Sequence, residues 1–360
     1  MKKPSARIVV VGLALVFASL AAGCAFRTEI ALNLMDRGLR RNMSSTLLDQ
    51  LPDGLHVAIC GAGSPLPDPK RSGPCTAVIA GKRVFIVDSG AGSTRVLARM
   101  RIPAGAIEAI LLTHFHSDHI DGLGELQLQR WAGGHSEPVP LFGPKGVGRI
   151  VDGINAAYAQ SRVSRVLHHG KDLMNPAGAG ARARAFPTPA ERQEMVVLED
   201  ETLRITAFRV NHEPVEPAVG YRFEYAGRSL VISGDTAKSE NLAHFSRGAD
   251  LLIHDSLSPR LLERITLAAK TAGNETVEQI TRDILDYHAT PVEAAETAES
   301  AGVRFLLFSH VVPPLPIAIL ESVFLEGVPE AYTGDYKIAR DGTLIRLDAG
   351  SDSVDVQELL

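Results

Sequence analysis

Apolar residues in this chain come in short runs that stop abruptly, and polar residues of a few recurring kinds stand where they stop. Ala109–Thr113 is such a run, and so are His56–Cys60, Thr76–Ile79 and Val84–Asp88. The later part repeats the pattern at Leu203–Asn211, Val219–Tyr225, Ser229–Ser233, Leu251–His254 and Phe305–Phe308. Short apolar segments bounded by Gly, Pro, Asn and Asp predict strands. Apolar positions at helical spacing predict helices over Leu32–Leu51, Ser93–Met100, Arg149–Ala159, Pro259–Lys270, Val277–Tyr287 and Pro291–Ala301. Strands alternating with helices in two successive halves predict an α/β layered architecture. The stretch Pro176–Pro189, rich in Gly, Ala and Pro, reads as a loop, and Ala349–Leu360 as a loose acidic tail.

The boundaries follow from composition. Residues 53–348 carry the periodic pattern without a separating linker and are expected to form one domain, preceded by an amphipathic helix or spacer over residues 25–52. That helix, with Arg37, Arg40 and Arg41 interspersed, serves either as a packed element or as a spacer from a membrane. Before it, Lys2, Lys3 and Arg7 precede an apolar run from Ile8 to Ala22, and Gly23-Cys24 follows. A positive start, an apolar core and small residues predict a signal for export over residues 1–24. Leu20-Ala21-Ala22-Gly23-Cys24 resembles a bacterial lipobox, which makes a periplasmic or membrane-anchored lipoprotein the expected form. Simple cleavage and an uncleaved anchor are the alternatives.

The formal net charge is −5 with 22% charged residues and no long run of one sign, so nothing indicates a broad nucleic-acid-binding surface. Arg162, Arg165, Arg182 and Arg184 read as a solvated loop. After removal of the signal only Cys60 and Cys75 remain, and they either form a disulfide at the base of the intervening loop or stay as two buried thiols.

The chemistry concentrates behind the run Ile110-Leu111-Leu112, in Thr113-His114-Phe115-His116-Ser117-Asp118-His119. Imidazole nitrogen and carboxylate oxygen are the donors that catalytic zinc takes while one position stays open for water. Other strands end in the same donor types: Asn211-His212, Gly234-Asp235-Thr236 and Ser309-His310. Together these supply seven ligands, the number two adjacent metals need.

In this order, His114-x-His116-x-Asp118-His119, His212, Asp235 and His310 resemble the metallo-β-lactamase superfamily of binuclear hydrolases. The resemblance implies a four-layer αβ/βα sandwich with the metals between two sheets. It implies that His114, His116 and His212 hold one metal, that Asp118, His119 and His310 hold the other, and that Asp235 bridges them. Zinc, two per chain, is the expected metal, with manganese or iron also suited to these donors. Cys60-Gly-Ala-Gly-Ser-Pro-Leu-Pro, Val87-Asp88-Ser89-Gly90, Gly220-Tyr221-Arg222-Phe223-Glu224 and Ser233-Gly-Asp-Thr resemble the ribonuclease Z branch. His288-Ala289-Thr290 is similar to that branch's His-Ser-Thr motif, which implies that His288 protonates the leaving oxygen or stabilises the transition state. Where the branch has His-Glu-Ala-Thr, this chain has His254-Asp255-Ser256-Leu257, a carboxylate one methylene shorter as the partner of His288. No long Gly/Pro-rich arm flanked by basic residues stands out for gripping tRNA.

The expected activity is hydrolysis of a phosphodiester or related ester outside the cytoplasm, with Asp118 as ligand and proton acceptor. A true tRNA 3′-end nuclease is the alternative from the closest motifs, opposed by the export signal and by the acidic balance. An arylsulfatase-like enzyme is another, since sulfate esters present a similar tetrahedral centre. A non-catalytic metal-binding protein is the reading from a different class. Expected partners are a small-molecule or oligonucleotide ester substrate, a membrane through the N-terminal segment, and a second copy in a homodimer.

Overall fold

This computed structural model describes residues 26–360; the expected export signal and Cys24 lie outside the described residues. The described chain divides into two units, one ending at Gln50 and one running from Leu51 to Leu360. The first holds the helix Arg27–Ser44 and the four-residue helix Leu47–Gln50, so the helix expected over Leu32–Leu51 starts earlier and breaks at Ser45. Among the described residues no helix is long and apolar enough to cross a membrane.

The second unit is built on two sheets. The first contains β1 (Leu55–Gly61), β2 (Cys75–Ala80), β3 (Arg83–Val87), β4 (Ile107–Leu111), β5 (Val139–Pro144) and β6 (Ala181–Phe186). The second contains β7 (Glu194–Glu199), β8 (Leu203–Arg209), β9 (Val219–Tyr225), β10 (Arg228–Ile232), β11 (Leu251–Leu257), β12 (Phe305–Val312) and β13 (Asp335–Ile338). The chain then returns to the first sheet as β14 (Thr343–Arg346) and β15 (Asp355–Glu358). The orders are β15-β14-β1-β2-β3-β4-β5-β6 and β13-β12-β11-β10-β9-β8-β7.

In each sheet an antiparallel part passes into a parallel part, at β3–β4 and at β10–β11. Parallel strands require crossovers, and helices make them, covering the outer faces. Phe85 and Val87 of β3 join Ile205, Tyr221, Phe223 and Ile253 in the core between the sheets. Their neighbours Val84 and Ile86 point the other way by alternation and are equally buried. This double burial is why the strands read as short unbroken apolar runs. On the outer face of the second sheet, Phe208, Val231, Leu252 and Phe308 pack against Ala294, Ala295 and Ala298 of the helix Pro291–Ala301. That helix is entered through a capping box in which Thr290 and Glu293 satisfy each other's backbone N–H. The layers are those of the expected αβ/βα sandwich.

Several local expectations are corrected. The loop Pro176–Pro189 contains β6, an edge strand paired in parallel with β5 over its whole length, because backbone pairing with a formed neighbour outweighs the weak strand tendency of its alternating Ala and Arg. The four arginines are therefore not loop residues: Arg182 and Arg184 lie on β6, and Arg162 and Arg165 on the helix Ala159–His169. The tail is not loose, since β15 pairs antiparallel with β14 from Thr343 to Arg346. The helix expected to reach Tyr287 ends at Asp283, leaving Tyr287 and His288 on a connecting segment. Of the two alternatives for the cysteines, the disulfide is present: Cys60 and Cys75 are bonded, with Cα atoms 4.9 Å apart.

Candidate metal centre

The site lies where strands end. The segment after β4 carries His114 and His116, the helix Ser117–Ile120 carries Asp118 and His119, and the segments after β8 and β10 carry His212 and Asp235. His310 sits within β12, at a point where the register with β11 shifts. Its φ of 47° is in the left-handed region, a strain of the sort found at functional sites. Gly234 lets the two sheets meet: a Cβ there would stand 2.9 Å from Cβ of Thr113 and 3.0 Å from the Val219 carbonyl. Any larger residue would push Asp235 away from His114.

All seven expected ligands come together. Ligand atoms of His114, His116, His212 and Asp235 lie within 4.8 Å of one another, as do those of Asp118, His119 and His310. Asp235 connects the groups, with Oδ2 3.4 Å from Nε2 of His119, 3.2 Å from Nε2 of His310 and 3.8 Å from Nε2 of His114. Asp118 Oδ2 is 3.3 Å from Nε2 of His310. Except for His116, which is half-buried, these residues are buried.

A second layer fixes the rings. Asp88 Oδ2 accepts Nδ1–H of His119 at 2.9 Å and the Thr113 hydroxyl at 2.8 Å. With its proton so committed, the Thr113 oxygen accepts Nδ1–H of His114 at 3.0 Å. Nδ1–H of His212 is taken by the Tyr287 carbonyl at 2.9 Å. Anchored through Nδ1, each ring turns Nε2 inward, and among the described residues Nε2 of His114, His119 and His212, with Oδ1 of Asp235, has no hydrogen-bond partner although buried. Orphaned acceptors in such a place fit a cation.

The electrostatics agree. Burial pushes the His114 imidazole well below its usual range, with His119 adding to it, and burial likewise lowers His116 and His212. For His119 and His310 burial pulls the same way but is outweighed, by Asp235 and Asp88 for the first and by Asp235 and Asp118 for the second, so both are raised. Burial alone would raise Asp235 and Asp118, yet the surrounding histidines, His310 foremost, hold both carboxyls below the usual range. His114, His116 and His212 are thus kept neutral, while His119 and His310 are drawn toward the protonated form by the two carboxylates, whose negative charge a divalent metal would offset in their place.

Beside the cluster, Nδ1 of His288 lies 2.9 Å from Oδ2 of Asp255, so the shorter carboxylate does reach it. The ring is stacked on His310 at 5.3 Å, and a ligand atom of His288 lies within 4.8 Å of those of Asp235 and His310. Asp255 also holds His254, whose Nδ1 is 3.0 Å from Oδ1. Burial would raise the Asp255 carboxyl, but hydrogen bonds from His254 and His288 keep it lowered and hence ionised.

Sequence reasoning about the site passed over two residues. Asp88 ends a buried strand as the ligands do and stands in the Val87-Asp88-Ser89-Gly90 motif, but no role was attached to it there. Tyr287 had no signal, because its placement depends on where the preceding helix stops.

A sequence model of the β-lactamase superfamily domain matches residues 83–311. The chain is 36% identical over 267 residues to a ribonuclease Z of Mycolicibacterium gilvum (strain PYR-GCK), covering 72% of this chain and 85% of that protein. It is 33% identical over 300 residues to a ribonuclease Z of Mycolicibacterium paratuberculosis, covering 82% of this chain and 100% of that one. Among solved structures, the short form of human tRNase Z superposes with a TM-score of 0.58 at 19% identity, over 82% of this chain and 100% of that chain. A metallo-β-lactamase fold protein from Bacillus subtilis gives 0.56 at 19% identity, over 81% and 98%.

Proposed function

The chain belongs to the metallo-β-lactamase superfamily, as a ribonuclease Z-like metal-dependent hydrolase, and from that membership we propose that it is an exported enzyme holding two zinc ions and cleaving phosphodiesters. One observation carries the reading: orphaned donors of His114, His119, His212 and Asp235 converge beside a histidine, His288, that is already fixed by a carboxylate. His114, His116 and His212 would hold one ion, Asp118, His119 and His310 the other, with Asp235 between them. Bound there, the metals would lower the pKa of a shared water and offset charge developing on the ester oxygens.

The remaining steps belong to the protein. Asp88 and Thr113 keep His119 and His114 from rotating. Asp118 is positioned to accept a proton as the nucleophile forms. His288, anchored through Nδ1, keeps Nε2 free to donate a proton to the leaving oxygen, and ionised Asp255 stabilises the imidazolium it starts from. A carboxylate at position 235, where Cys would make a softer site, suits hard paired metals.

Export through residues 1–24, with Cys24 as a lipid anchor, is part of the proposal. It is supported by the charge and hydropathy of that segment and by the Cys60–Cys75 disulfide, a bond kept in oxidising compartments. Cleavage of tRNA 3′ ends is the second reading, favoured by the 36% identity to a protein named ribonuclease Z. The exported form would not meet that substrate.

The test uses chain starting at residue 26, with metal content measured, assayed on aryl phosphodiesters, aryl sulfates, a β-lactam and a tRNA precursor. Two zinc ions per chain and diester cleavage are expected. A single metal, or unchanged turnover in His116→Ala or Asp118→Ala, overturns the binuclear mechanism. Preference for the tRNA precursor replaces the first reading with the second.

A further inference from the structure

Tyr287 is tied to the metal ligands by its main chain, since its carbonyl takes Nδ1–H of His212 at 2.9 Å. Its ring stands over the same imidazoles. The centroid is 4.8 Å from His212 with planes at 75°, 4.7 Å from His288 at 43°, and 6.5 Å from His116. The side chain is only half-buried. Among the described residues its hydroxyl has no hydrogen-bond partner, whereas the buried Tyr221 and Tyr332 donate to the carbonyls of Leu112 and Val303. A tyrosine kept half-open beside a catalytic cluster, with its polar end uncommitted, does no structural work that Leu could not do.

Its position relative to His288 gives it a task. Asp255 occupies one edge of the His288 ring and His310 is stacked on it. His212, a buried metal-ligand candidate, stands 5.4 Å away, so among the ring neighbours of His288 only Tyr287 is half-open, and the group that receives a proton from His288 approaches past its ring. We propose that Tyr287 forms the leaving-group subsite and selects esters whose leaving group carries a flat aromatic ring. Stacking supplies the affinity, and the hydroxyl is free to donate to an oxygen of the same group. The location of the leaving oxygen rests on the hydrolase reading above; the stacking surface does not.

Equilibrium binding to the zinc-loaded protein tests this without turnover, using phenyl phosphate, adenosine 5′-monophosphate and methyl phosphate as probes. The wild type should bind at least one aromatic probe about tenfold or more tightly than methyl phosphate, the range expected of one stacked ring. Which of the two is preferred distinguishes an aryl from a nucleobase leaving group. Tyr287→Leu should abolish the preference while keeping methyl phosphate affinity and zinc content, and Tyr287→Phe should retain it. Equal binding of all probes by the wild type, an intact preference in Tyr287→Leu, or an equal loss for all three probes overturns the subsite. Aromatic preference without hydrolysis of any diester would keep the subsite and overturn the functional reading instead.

Discussion

Nδ1 of His288 lies 2.9 Å from Oδ2 of Asp255, on a carboxylate whose other oxygen is 3.0 Å from Nδ1 of His254. The backbone N–H of Thr236 adds a contact to Oδ2 at 3.3 Å. Asp255 is thus held from several sides and is 2% exposed, so it cannot relax toward solvent when its charge is removed. Its task in the proposed mechanism is to orient and stabilise protonated His288, which Asn performs poorly. Asp255→Asn should lower kcat on an aryl diester by about 10²-fold, the lower end of what general acid catalysis contributes. Zinc content should stay at the wild-type level. Undiminished kcat, or zinc loss parallel to the activity loss, would show that Asp255 does something else.

Asp88 offers a test of the metal reading that leaves every ligand in place. Its side chain satisfies both the backbone N–H and the hydroxyl of Thr113, and it anchors His119. Its φ of 58° is left-handed, a conformation Asn tolerates, so Asp88→Asn removes charge with little backbone cost. The variant should bind zinc about 10- to 100-fold more weakly in competition with a chelator, the usual effect of losing a partner behind a ligating histidine. Wild-type zinc affinity would sink the idea that Asp88 tunes the site.

How much of this was legible follows from what makes each element. β3, β4, β11 and β12 are buried on both faces, so they are written as apolar runs, and their ends could be read as well. Donor residues behind apolar runs, His114 after β4, His212 after β8, Asp235 after β10 and His310 behind the run Phe305–Phe308 inside β12, made the site legible in the sequence. β6 was hidden because the alternation in Ala-Arg-Ala-Arg-Ala rests on alanine, a weak strand former; its formation depends on β5 beside it. β15 is short and polar, and its pairing comes from β14. Tyr287 was assigned to a helix because an amphipathic pattern can outlast the last hydrogen-bonded turn. Pairing with neighbours and helix termination are tertiary outcomes, and the local pattern carries little of them.

His56 makes acid sensitivity predictable away from the site. It is fully buried; Nε2–H donates to the Pro52 carbonyl at 3.0 Å, and Nδ1 accepts the N–H of Leu347 at 3.3 Å. Both nitrogens are satisfied only in the neutral ring. Burial accordingly lowers its pKa below 6.5, against the opposing pull of the Pro52 carbonyl and Asp348. The unfolded chain takes up a proton below pH 6.5 that the native state resists, so this contribution is intact above 6.5 and is lost as pH falls below it. The slope is at most about 1.4 kcal/mol per pH unit. Urea unfolding of zinc-loaded protein at pH 7.5 and 5.5 should show a smaller acid loss for His56→Gln than for the wild type. Identical losses would assign the acid sensitivity to other groups.

The C-terminal strand should matter to stability through a buried charge. Arg228 is 3% exposed and pairs with Asp250 at 3.1 Å, but that carboxylate cannot satisfy a whole guanidinium. The two terminal nitrogens also donate to main-chain carbonyls of the returning tail: those of Ser351 and Ser353, the second at 2.9 Å, and that of Asp348 at 3.4 Å. Ending the chain at residue 348 removes two of these acceptors along with β15. Leaving such donors unpaired costs about 1–3 kcal/mol each, and in a unit running from Leu51 to Leu360 each kcal/mol shifts Tm by roughly 1–2 °C. The truncated protein should therefore melt several degrees lower. Because the loss acts through Arg228, the same truncation in an Arg228→Met background should cost markedly less, and the difference between the two costs measures the coupling. If truncation costs the same in both backgrounds, the tail stabilises the sheet through its pairing with β14 and the buried arginine has no part in it.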